Sequence, residues 1–211
     1  MNHGQAVFSR PVLALYDWLV LGVTCNLIWR CSPARTLAFY GRHLSANHLE
    51  VGVGTGFFLD RAAFPVRKPR VALLDLNPNC LERTARRIAR YTPEIHRADL
   101  LAPLHLPGRF DSIAINYVLH CLPGAFPEKG RVFAYLKGLL NPGGTLFGAT
   151  LLSGGVPRSA LARAFMRLYN RLRIFSNERD DLAGLEFALR QHLTDVRVEV
   201  AGCVALFSGR V

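Results

Sequence analysis

Three glycines at every second position, Gly52, Gly54 and Gly56, follow Glu50 in the stretch HLEVGVGTGFFLDR, between two apolar runs. Glycine tolerates the backbone conformations of a tight turn and lets a ligand approach the main chain closely. The pattern is E-x-G-x-G-x-G rather than G-x-G-x-x-G, and no Lys-Ser/Thr pair follows to build a phosphate loop. Two acids further along narrow the chemistry. Asp75 closes an apolar run in VALLDLNP, two residues before Asn77, where a carboxylate can accept from both hydroxyls of a ribose. Asp99 ends the next short run in HRADLL, just before Leu100, where a carboxylate can take the exocyclic amine of an adenine. One glycine turn and two strand-end acids make a cradle for an adenosyl group, with nothing placed to neutralise a pyrophosphate.

Elements must hold these residues in place, and the hydrophobic pattern supplies them. Residues 10–40 carry two helix-like patterns separated near Ser32-Pro33, where Pro can open the second helix. Strand-like runs follow at 47–53, 70–76, 95–99, 110–118 and 144–152, and helix-like ones at 55–63, 79–91 and 128–140. A long amphipathic helix is expected over 157–175, another over 180–192, and two closing strands at 196–201 and 203–209 around Gly202. Strands that alternate with helices and read as apolar on both faces predict a parallel sheet covered on both sides, with the last two strands antiparallel. In such a sheet a ligand binds beyond the carboxyl ends of the strands, where the strand order reverses. The expected fold is α/β, Rossmann-like and doubly wound. It is a single domain: a helical lid over 1–45, a cofactor-binding core over 46–152, and a helical insertion with closing strands over 153–211.

The glycine turn, the two acids and the segments FDSIAINYVLHCLP and LLNPGGTLFGATLL together resemble the class I S-adenosylmethionine-dependent methyltransferases, over roughly residues 48–152. The resemblance implies S-adenosyl-L-methionine as cofactor and a seven-stranded sheet. It implies that Glu50, Gly52, Gly54 and Gly56 approach the methionine portion, that Asp75 with Asn77 holds the ribose, and that Asp99 and the amide of Leu100 read the adenine. Asn116 and Tyr117 would lie at a strand end near the methionine moiety, with His120 just beyond. The N-terminal YDWL…NLIWR is similar to the corresponding segment of ubiquinone/menaquinone-type C-methyltransferases, whose first helices close over the cofactor. By that likeness Tyr16 sits at the sulfonium end and Trp29 packs the second helix.

Methyl transfer from a sulfonium needs positioning and exclusion of water more than machinery. A base helps when the nucleophile starts as a hydroxyl or an ammonium, and His120 is the foremost choice because an imidazole titrates near neutrality. It could equally anchor the loop that follows the strand. Tyr169, Asn170, Ser176 and Asn177 form a polar patch that either closes over an acceptor or ends a helix. The sequence lacks the [DN]-P-P-[YF] signature of adenine and glutamine amino-methylation, the Pro-Cys nucleophile of cytosine methylation, and an acidic cluster for metal-dependent catechol methylation. What remains is an enzyme acting on a small molecule or other small acceptor, or an RNA enzyme without a signature; the reading taken is a small metabolite, in secondary metabolism. One alternative keeps the cofactor as sole substrate: its own amine, held by Asn116 and Tyr16, closes azetidine-2-carboxylate and expels methylthioadenosine. A second alternative is a basic protein that binds nucleic acid or a membrane surface.

Bulk composition bears on that last alternative. The net charge is +11, and every basic residue except Lys68, Lys129 and Lys137 is arginine. Arg163, Arg167 and Arg171 recur along the helix expected at 157–175, opposite Leu161, Phe165, Leu168 and Leu172. Arginines are otherwise spread without a run, so a solvated basic surface is the expectation and nucleic acid is not expected as a partner. With 50% hydrophobic and 19% charged residues the chain is globular. Asp17 and small polar residues interrupt the apolar run from Val12 to Trp29, which argues against a membrane span. Met1–Arg10 lacks the pattern of a signal peptide. Cys25, Cys31, Cys80, Cys121 and Cys203 show no metal-ligand spacing, which predicts reduced thiols, a cytoplasmic protein and no metal site. The oligomeric state is left open.

Overall fold

The computed structural model describes residues 24–211, so Tyr16, Asp17 and the first expected helix up to residue 23 lie outside the described residues. Seven strands form one sheet: β1 (Asn47–Val51), β2 (Arg70–Asp75), β3 (Glu94–Arg97), β4 (Phe110–Asn116), β5 (Leu140–Leu151), β6 (Thr194–Ala201) and β7 (Val204–Arg210). Their order is β3-β2-β1-β4-β5-β7-β6. The first five run parallel, and β7 lies antiparallel to both β5 and β6. The order reverses between β1 and β4, so the carboxyl ends of those two strands open the crevice where ligands of such sheets bind. This is the Rossmann-like arrangement expected from the alternation.

The helices are α1 (Pro33–His43), α2 (Phe57–Arg61), α3 (Pro78–Arg87), α4 (Phe126–Lys129), α5 (Arg131–Lys137), α6 (Ala160–Arg171) and α7 (Leu182–Arg190). Several start where the sequence provides a cap. Ser32 accepts from the Arg35 amide ahead of Pro33, Asn77 from Asn79 ahead of Pro78, Ser159 from Ala162, and Asp181 from Gly184. Strand residues alternate between two cores. Leu73, Ala114, Phe147 and Leu151 face Phe39, Tyr40, Leu59, Leu81 and Met166, on the side of α1, α2, α3 and α6. Leu49, Val51, Ile113, Ile115 and Leu146 face Phe133, Leu136, Leu185 and Leu189, on the side of α5 and α7.

Three expectations needed correction. The strands are not all apolar on both faces: β3 and β6 alternate between half-buried and exposed residues. Both are edge strands, and charges such as Arg197 and Glu199 on an edge discourage pairing with another chain. The helix expected over 128–140 is two helices that meet at Gly130, where a Cβ would stand 2.6 Å from the carbonyl oxygen of Phe126. The third concerns α6. It docks through Ala162 and Met166, and Ser153 Oγ lies 3.6 Å from Met166 Sδ. Leu161, Leu168 and Leu172 are about half exposed rather than turned to the core. Among the described residues no helix is long and apolar enough to cross a membrane.

Candidate active site

The glycine turn is built from both sides. The Gly52 amide donates to the Leu74 carbonyl at 2.8 Å, so the chain leaving β1 stays beside β2 before it turns. From α3, Thr84 Oγ1 donates to the Gly54 carbonyl at 3.2 Å. With that carbonyl held, the Val53 and Gly54 amides turn to the Asp75 carboxylate, which also takes the Asn77 amide at 2.8 Å and that of Leu76. Burial raises the Asp75 pKa, and these four donors act against the rise. Asn77 caps α3 with its side chain, so it ties Asp75 to the helix.

Gly52 requires its freedom twice over. Its φ is +67°, and a Cβ there would stand 2.1 Å from Val118 Cγ2. The turn is therefore in direct contact with the chain leaving β4. At Gly54, with φ +52°, a Cβ would meet nothing among the described residues within 4 Å, so these leave the main chain open at the centre of the turn.

Asp99 reaches the same rim by another route. The Ala98 amide donates to the Asp75 carbonyl at 3.3 Å, which hangs the segment after β3 from the end of β2. The Asp99 side chain is exposed and accepts from the Leu101 amide at 2.9 Å, while Leu100 is buried in the core. Glu50 is buried, and one of its oxygens is engaged elsewhere: it accepts from the Tyr40 hydroxyl at 2.5 Å and lies 3.2 Å from His48 Nε2. Nδ1 of the same histidine bonds Ser112 Oγ at 2.8 Å, and that hydroxyl lies 2.7 Å from Ser45 Oγ. A buried polar chain thus runs from the carboxylate behind the glycine turn to the far end of β1.

At the end of β4, Asn116 is buried and its Nδ2 has no hydrogen-bond partner among the described residues. Tyr117 follows with φ +57°, an uncommon conformation for a residue with a side chain. Its hydroxyl lies 3.1 Å from Thr36 Oγ1 of α1 and its ring stacks on Phe58 at 6.0 Å. Burial pushes the Tyr117 hydroxyl well above the usual tyrosine range. His120 lies in a short 3-10 turn, buried, and its Nδ1 too has no partner among the described residues. Burial, and after it the nearby Lys129 cation, lower its pKa to about 3. Aromatic rings surround it, Phe175 edge-on at 4.6 Å and Tyr117 at 6.3 Å, and Phe175 in turn meets Tyr169 at 5.0 Å and Trp29 at 6.1 Å.

The expected site residues from Glu50 to His120 therefore gather at the carboxyl ends of β1, β2 and β4, with Asp99 on the loop after β3; Tyr16 lies outside the described residues. The polar patch read from Asn170 and Asn177 follows the second of its two readings, the end of a helix. Asn170 Nδ2 donates to Asn177 Oδ1 at 2.8 Å, and the Asn177 amide donates back to Asn170 Oδ1 at 3.0 Å. Asn177 Nδ2 also holds the Leu151 carbonyl, so these amides brace a loop and do not face a ligand. Sequence reasoning missed Tyr40 and His48, and it missed Lys129 and Asp180, which form a fully buried ion pair at 2.8 Å. The one sequence signal for Lys129 was its being one of three lysines in a chain that otherwise relies on arginine for its positive charge.

A family model described as "Methyltransferase domain" matches residues 49–146. Among curated proteins, demethylluteothin O-methyltransferase of Streptomyces thioluteus is 43% identical over 205 residues, covering 97% of this chain and 89% of that one. The physcion biosynthesis cluster O-methyltransferase of Aspergillus chevalieri is 35% identical, covering 98% and 94%. Among solved structures, the N-methyltransferase NodS from Bradyrhizobium japonicum WM9 with S-adenosyl-L-homocysteine superposes with a TM-score of 0.66. It is 16% identical, and the match covers 100% of this chain and 98% of that one.

Proposed function

Because this chain belongs to the class I S-adenosylmethionine-dependent methyltransferases, we propose that it methylates a hydroxyl group on a flat, conjugated ring of a small metabolite, with His120 orienting that hydroxyl. The enzyme is a methyltransferase that uses S-adenosylmethionine on a small molecule. The residues present fit the cofactor: among the described residues, main chain is left open at Gly54, and a half-buried carboxylate at Asp75 and an unpartnered amide at Asn116 stand on either side of the turn. Gly52 to Gly56 would lie along the methionine portion, Asp75 would accept from the ribose hydroxyls, and Asp99 with the Leu100 amide would read the adenine. Asn116 Nδ2 would donate to the methionine portion. When bound, S-adenosylmethionine supplies an electrophilic methyl group on a sulfonium that leaves as a neutral thioether.

The observation that carries the acceptor reading is the buried His120 Nδ1, without a partner among the described residues, inside a wall of aromatic rings. The acceptor oxygen would take the methyl group as the neutral thioether leaves, and the hydroxyl proton, hydrogen-bonded to His120 Nδ1 until then, would be released to water. With a pKa near 3 the imidazole does not strip a proton from an alcohol of ordinary acidity. It accepts a hydrogen bond and so turns an oxygen lone pair toward the methyl carbon. That partner suits a hydroxyl already made acidic by conjugation, and the rings of Phe175, Tyr117 and Tyr169 suit a flat acceptor. The two relatives named above are O-methyltransferases.

Mass spectrometry of the pure protein with S-adenosylmethionine, alone and then with a panel of hydroxylated aromatic metabolites, tests the reading. The expected outcome is S-adenosylhomocysteine and a methyl ether, formed only with acceptor. Methylthioadenosine released without acceptor would mean intramolecular ring closure, and a methylated amine or carbon would move the reaction off oxygen.

A further inference from the structure

The ammonium of Lys129 has three protons and uses each of them inside the protein: on Asp180 Oδ2 at 2.8 Å, on the Ser176 carbonyl at 2.9 Å and on the Leu119 carbonyl at 3.2 Å. Main-chain bonds draw the same knot tighter. The Ser176 amide donates to the His120 carbonyl at 2.8 Å, and the Asp180 carbonyl accepts from Ser153 and Gly154 at 2.8 and 3.0 Å. One side-chain cation therefore joins the chain leaving β4, the segment before α7 and, through Asp180, the chain leaving β5. Phe175 precedes Ser176 directly and sets its ring edge-on to His120.

Stability alone accounts poorly for this pair. Burial pushes the Asp180 carboxyl up to about 6 and pulls the Lys129 ammonium down, so the interior resists both charges. Packed apolar residues commonly fill such a place without loss of stability. What they do not do is gather three oxygens from two segments around one point.

We propose that Lys129 and Asp180 are positioning residues: their buried ion pair fixes the His120 ring against Phe175 and thereby sets where the acceptor hydroxyl meets it. The proposal rests on the acceptor role given to His120 above. The charge adds to the geometry. Phe175, neutral Tyr117 and the Lys129 cation stand around the ring, and the cation opposes its protonation.

The test uses the full chain with Lys129→Met and Asp180→Val together, which removes both charges and leaves neither unpaired. Thermal unfolding and calorimetry with S-adenosylhomocysteine should stay close to wild type. NMR should differ: nuclear Overhauser contacts between His120 and Phe175 disappear, and the Ser176 amide exchanges roughly tenfold faster or more. The His120 imidazole takes up a proton at higher pH because the Lys129 cation no longer opposes it, but a merely structural pair would share that change, so the ring contacts and the Ser176 exchange decide. A folded double variant that keeps the ring contacts and the Ser176 protection overturns the proposal. If the double variant does not fold, Asp180→Asn, which leaves Lys129 in place, is read by the ring contacts and the Ser176 exchange alone, with the same losses expected and their persistence counting against the proposal. A wild-type chain that fails to bind S-adenosylhomocysteine strikes the cofactor reading and leaves the His120–Phe175 measurement intact.

Discussion

Asp75 serves the site through its environment as much as through its charge. Its carboxylate holds the amides of the glycine turn and of Asn77, so the group expected to meet a ribose is fixed before any ligand arrives. Hydrogen bonds to a charged group contribute about 1.5–3 kcal/mol each, so Asp75→Asn should weaken S-adenosylhomocysteine binding by roughly tenfold to a hundredfold in calorimetry. An unchanged Kd would remove Asp75 from the cofactor site. Gly52 calls for a different experiment. Gly52→Ala forces a Cβ against Val118 and keeps φ at +67°, so it should destabilise the fold by about 1–3 kcal/mol in denaturant unfolding. Val118→Ala in the same chain should recover the clash and not the backbone strain; full recovery, or none, would contradict that division. The glycines and Asp75 were legible because their spacing around strand ends is local. Lys129 and Asp180 stand 51 residues apart, and nothing in either segment announces the other.

Among the elements, α6 shows what hydrophobic periodicity leaves open. Its leucines recur on one face and its arginines on another, and the natural reading turned the leucines inward. The fold instead buries the flank between them, through Ala162 and Met166, because a small residue lets the helix come close to the chain leaving β5. A stripe of large apolar residues gives the existence of a helix and not which side of the stripe is docked. Ala162→Leu should therefore overpack the contact and lower stability by about 1–3 kcal/mol. Leu168→Ser, on the exposed stripe, should change it by less than about 0.5 kcal/mol. The reverse order in urea unfolding would mean that α6 is seated in the other phase. Element order and sheet direction, by contrast, were legible almost throughout, since buried parallel strands and Pro-led helix starts both have strong local signatures.

For the whole molecule, the buried charges near the site make opposite contributions to stability against pH. Folding holds the His120 pKa near 3 against an ordinary value of 6.5, so the unfolded chain binds a proton that the native one refuses. That contribution is fully present above pH 6.5 and is lost as pH falls from 6.5 toward 3. Asp180 has the other sign. Its pKa is raised from 3.8 to about 6, so the native chain keeps a proton that the unfolded one releases, and stability falls as pH rises through that interval. The wild-type curve contains both and is flatter than either. Removing one term exposes the other: relative to wild type, His120→Asn should gain stability as pH drops from 6 to 4, whereas Asp180→Asn should lose it. Growth of the +11 net charge in acid is nearly common to all three chains and drops out of the differences. Urea unfolding at several pH values measures both slopes. A His120→Asn chain that gains no stability over wild type as pH drops would mean that His120 is not held neutral in the native state, and the hydrogen-bond acceptor assigned to the methyl acceptor's hydroxyl would be lost with it.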